Sequence, residues 1–137
     1  MSNAMSVPIS IDQGNAVVRL CEHAAATMRS IIDLTSPMAC QIEHPSEAFR
    51  AVAALRLLTE RLPLALAHLA VWFCEQVDLQ AVTMDAGSAY EGDPHGAAAE
   101  LRTALVDEAI PLLAELAVLL DRAAHALAYA TSAQPYQ

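Results

Sequence analysis

The chain has 137 residues, a formal net charge of −9 and 55% hydrophobic residues, yet only 4% aromatic ones. That length suits one domain, and so apolar a composition excludes a disordered or low-complexity chain. With 16 acidic residues against seven arginines and no lysine, nucleic acid is not an expected partner.

Much Ala and Leu with few aromatic and β-branched residues favours helices over a β-fold. Residues 1–4, Met-Ser-Asn-Ala before Met5, resemble an expression-vector scar, and residues 5–14 form an N-terminal segment. From Met5 onward no basic stretch precedes an apolar one, so no signal peptide is expected. Lysine's absence with arginine retained points to a GC-rich bacterial genome.

The first helix is expected over about Asn15 to Leu34. Val17, Cys21, Ala24, Met28 and Ile31 recur at steps of four and three, and Arg19, Glu22, His23, Arg29 and Asp33 take the other side. Thr35-Ser36-Pro37 stops it, because proline lacks an N–H and restricts the residue before it.

A second helix opens at His44-Pro45 and keeps the same rhythm through Ala48, Val52, Leu55, Thr59, Leu62, Leu66, Leu69 and Phe73 to about Leu79. The polar stretch Gln80–Gly92 is a loop. A third helix opens at Asp93-Pro94, where Asp93 is the better cap, and carries Leu105, Ala109, Leu112, Leu116, Leu119, Ala123 and Ala126 on one stripe. The domain runs over 15–131, and residues 132–137 form a frayed tail.

Pro63 and Pro111 lie inside the second and third segments. Leu62 and Ile110 are poor caps, so bent continuous rods are favoured over pairs of short helices, which would raise the count to four or five. Each proline frees a carbonyl four residues upstream, that of Thr59 or Asp107. The strings Leu57–Leu64 and Leu105–Leu112 align without gaps as a weak internal repeat. An antiparallel pair turning near Gly87 sets Pro63 opposite Pro111. It also places Arg56 near Glu115, Arg50 near Asp121, and Arg102 near Glu75 and Trp72.

The architecture expected is all-α, an antiparallel up-down bundle of three long helices. The core stripe of the second helix centres on Leu55, Leu62, Leu66 and Phe73. Leu57, Leu64 and Val71, with Ala53 and Ala67 beside them, project from nearly the opposite side. A helix apolar nearly all round is buried all round, so Leu57, Leu64, Ala67 and Val71 are the expected interface of a homodimer. A partner protein's helix could dock there instead.

No apolar run approaches the about 20 residues of a bilayer span, so no membrane partner is expected. Three cysteines, Cys21, Cys40 and Cys74, lack framework spacing, which suits a reduced cytoplasmic protein. Cys21 and Cys74 fall on apolar faces as buried, inert thiols. No metal-binding spacing stands out: Cys40, Glu43 and His44 share a connector but lack further ligands, and Asp121 with His125 is an i, i+4 pair. Glu60, Asp107, Glu108 and Glu115 gather near the proline level as a solvated face.

No cofactor or catalytic residue is assigned. The leading expectation is a non-enzymatic, self-associating interaction module. A second is a ligand-binding or regulatory bundle with a pocket near the prolines, lined from Trp72, Phe73, His68 and Tyr129. A third is a hydrolase, metal-dependent or Arg/His-based. Arg61 and His68 are seven apart on one helix face, a spacing similar to the motif of HEPN-type ribonucleases. That resemblance implies an Arg and a His acting on RNA phosphates near a dimer interface. The family carries a polar residue after the Arg, whereas Leu62 and Pro63 follow here.

Overall fold

The structure, a computed structural model, describes residues 15–133. The scar at 1–4, the segment 5–14 and the tail from 134 onward lie outside the described residues. Within them the chain is all-α, with no strand. It divides into two units between Glu43 and His44.

The first unit holds α1, Ala16–Thr35. Asn15 caps it, its Oδ1 accepting from the Val17 N–H at 2.8 Å. At the other end the Thr35 hydroxyl turns back to the Ile31 carbonyl at 2.7 Å, and the helix stops two residues before Pro37. None of its residues is buried. Cys21 is therefore exposed rather than buried, because an amphipathic stripe is buried only against another surface.

The second unit is a helical hairpin. Its first rod is α2, Pro45–Asp78, 34 residues without a break at Pro63. The Glu47 carboxylate accepts from the His44 N–H at 3.1 Å and so helps a weak cap residue start the helix. At the far end Gln80 sits at φ 61°, in the left-handed region. Its N–H reaches the Val77 carbonyl and that of Ala81 reaches Gln76, both at 2.9 Å, which satisfies two terminal carbonyls.

The returning rod runs α3, Pro94–Arg102, then a π-helical segment, Thr103–Ala109, then α4, Ile110–Leu127. Asp93 caps α3, with Oδ1 accepting from the Gly96 N–H at 3.0 Å. These pieces follow one another directly, so Pro111, like Pro63, lies in a continuous rod. It stands where the wide i→i+5 pattern returns to i→i+4, so its missing N–H falls where the ladder is already changing. The helix ends at Leu127, one residue past the last residue of the expected stripe, and Ser132 lies 3.4 Å from the His44 ring.

The rods are antiparallel, close to the expected register near the connector and offset from it by a few residues at the level of Arg56. Arg56 pairs with Asp121 at 3.4 Å, not with Glu115. Near the connector the Cys74 thiol lies 4.0 Å from the Ala98 carbonyl, and His95 lies 3.8 Å from Asp78. Between those levels 18 residues of α2 lie against 23 of the returning rod. The π-helical segment falls in that interval and takes up part of the excess. Pro63 thus shares a groove with Leu113 and Ala114, a short step past Pro111.

The seam between the rods is built from small residues. Thr59, Ala70, Val77, Ala98 and Ala124 are its buried side chains. The Thr59 hydroxyl donates to the Leu55 carbonyl at 2.8 Å, so it enters the seam already satisfied. Of the expected core stripe, Leu55, Leu66 and Phe73 are half-buried beside the seam, whereas Leu62 is exposed. Small side chains let two helices approach closely, and the large ones beside them then point sideways.

Candidate functional site: the two sides of the hairpin

Two packed helices leave two broad sides, and the hairpin's sides differ. Along one, three open grooves follow each other from end to end. The first, at the open end, is bordered by Phe49, Ala53 and Tyr129. The middle one, about 460 Å³, lies between Thr59, Pro63, Ala114 and Val118. The third, about 310 Å³ beside the connector, is lined by Ala67, Ala70, Val71 and Cys74.

Charges border this side throughout. Arg56 bridges Glu60 at 3.3 Å and Asp121 at 3.4 Å, and the His125 ring lies 3.4 Å from Asp121. Glu75, Asp78 and Arg102 flank the groove beside the connector. Arg102 and Glu75 are thus brought to one level, as expected. Ala67 and Val71 line that groove, and Leu57 and Leu64 stand exposed on the same side of α2. The four expected interface residues therefore share one side, and it is the charged one.

On the opposite side α2 carries no charge between Ala51 and Phe73, while on the returning rod Glu108 and Glu115 border the leucines. At 3.6 residues per turn, Leu55, Leu58, Leu62, Leu66 and Leu69 of α2 lie on the flank away from the grooves. Leu112, Leu116, Leu119, Leu120 and Leu127 take the matching flank of α4, and antiparallel pairing brings the two flanks to the same side. Periodicity had placed most of these residues in a core; the structure exposes Leu58, Leu62, Leu69, Leu112, Leu116 and Leu119. The signal that distinguishes this side is the lack of any Asp, Glu, Arg or His on that flank of α2 between Ala51 and Phe73.

Trp72, 58% exposed, stands at the outer edge of α2 where the two sides meet. Arg61 and His68 are exposed on the same outer edge, with neither in the grooves described. Of the four side chains suggested for a ligand pocket, Tyr129 borders a groove, whereas Trp72, Phe73 and His68 do not. Among the described residues no three His, Cys, Asp or Glu side chains are grouped to hold a metal ion. Glu60 instead pairs with Arg56, and Asp107, Glu108 and Glu115 are exposed. On length and composition alone α2 could cross a membrane: one 18-residue window has mean hydropathy 1.3 and is 11% buried.

No family model matches the chain, and no curated protein and no solved structure is similar to it.

Proposed function

We propose that the protein is a non-enzymatic interaction module, an up-down helical bundle whose role is to associate with copies of itself as a cytoplasmic homodimer. The observation that supports this reading is the exposure of large apolar side chains on both sides of one hairpin, Leu64 and Val71 on one and Leu112 and Leu119 on the other. An exposed apolar area of this kind is characteristic of protein interfaces, and a two-fold dimer is the commonest way to cover one.

Lipid is the less favourable cover. The returning rod packs along α2 and carries Asp107, Glu108, Glu115, Asp121 and Arg122. Inserting α2 would carry those charges toward the hydrocarbon, at several kcal/mol for the set. Sedimentation equilibrium tests the reading. A mass of twice 14.6 kDa that falls on dilution is expected, and a monomer at every concentration overturns it.

A further inference from the structure

Resting on the self-association just proposed, we infer that the copies meet through the leucine side of the hairpin, Leu58, Leu62 and Leu69 of α2 with Leu112, Leu116 and Leu119 of α4, and not through the grooved side that carries Leu57, Leu64, Ala67 and Val71. The occupant of this surface is a second copy of the same chain.

Area is the first argument. The six leucines are between 39 and 64% exposed, and Trp72 at their edge is 58% exposed. Together they present on the order of 600 Å² of apolar side chain. A specific interface takes about 800 Å² from each partner, so this one patch supplies most of what a dimer needs.

Symmetry is the second. A two-fold contact sets a surface against itself, so every charge on it meets its own kind nearby. The grooved side holds Glu60, Glu75, Asp78 and Asp121 against Arg56 and Arg102. In a chain of net charge −9, pairing that side with itself crowds carboxylates together. On the leucine side α2 is uncharged between Ala51 and Phe73 and the carboxylates Glu108 and Glu115 lie toward the outer edge of the returning rod, so fewer like charges meet at the centre, where homodimer interfaces are depleted of charge.

Shape is the third. The grooves run between the rods over small side chains and suit one inserted helix. The leucine rows stand out from both rods at once, so two hairpins pack face to face with their leucines interdigitated.

Sedimentation velocity on paired variants tests the assignment, with circular dichroism reporting helicity. L62E/L116E is expected to weaken the dimer on the order of 100-fold or more. L64E/V71E is expected to leave it within about threefold. If L64E/V71E dissociates the dimer, or L62E/L116E leaves it intact, the assignment is overturned while self-association stands. A wild-type chain that is always monomeric overturns the underlying reading instead.

Should the glutamates abolish folding, thiol labelling decides. In a background with Cys21, Cys40 and Cys74 changed to Ser, L69C should label at least tenfold more slowly than L64C, and the difference should vanish on dilution. Protection that persists at every concentration means the cover comes from within the chain and overturns the assignment. Equal labelling of the two at high concentration overturns it as well.

Discussion

Arg56 on α2 reaches Asp121 on α4 at 3.4 Å while holding Glu60 of its own helix at 3.3 Å. One guanidinium thus ties the register of the two rods to a single point near the middle groove. The pair is partly exposed, with side-chain accessibilities of 33 and 46%, so its coupling should be about 0.5 kcal/mol and smaller in high salt. A double-mutant cycle of R56A and D121A in urea measures it. A coupling above about 2 kcal/mol would show that the pair behaves as a buried one.

Gln80 ends α2 in the left-handed region, where a Cβ is unfavourable. Q80G relieves that at a position whose two hydrogen bonds come from the backbone. It should stabilise the fold by about 0.5–1 kcal/mol, read from the urea midpoint, with an unchanged m-value. Destabilisation would mean that the Gln80 side chain makes contacts outweighing the strain.

The two interior prolines should respond differently to replacement. P63A restores an N–H to an α-helical ladder and relieves the ring against the Thr59 carbonyl, a gain of about 1–3 kcal/mol. P111A acts where the π-helical segment gives way to α4, so part of the local mismatch is already absorbed and the gain should be smaller. Thermal unfolding of the two variants side by side gives the comparison, and an equal gain removes any special role for the π-helical turn.

In the seam, A70L should cost about 1–3 kcal/mol, because the added side chain forces the rods apart. L112M, on the exposed flank, should change monomer stability by less than about 0.5 kcal/mol. Chemical denaturation of both variants at one protein concentration tests the contrast.

The helices themselves were legible. Pro37 stops α1, Pro45 and Pro94 open two rods, and the capping role given to Asp93 is seen in its bond to Gly96. The facing of α2 was legible in part. Its apolar residues occur at almost every angle, and the stripe drawn by periodicity contained buried Thr59 but also Leu62 and Leu69, which are exposed. Ala70 and Val77, buried beside Thr59, were missed. Register was legible near the connector and drifts toward the open end for a separate reason. Counting residues from Gly87 assumes equal rise in both rods, and nothing in Thr103–Ala109 marks a π-helical turn in advance. Of the residues singled out for function, Leu57, Leu64, Ala67 and Val71 do share a side. The leucine flank across from them was hidden because most of its leucines had been assigned inward.

The small-residue seam also inverts the usual map of mutational tolerance. In most folds the bulky core side chains constrain evolution, and alanines drift freely. Here Ala70, Ala98 and Ala124 are buried between the two rods, so a larger side chain at any of them has to displace its neighbours. The leucines outside can be traded for other apolar residues as long as the second surface adjusts with them. A library that randomises the second unit should therefore find its least forgiving positions among its smallest side chains.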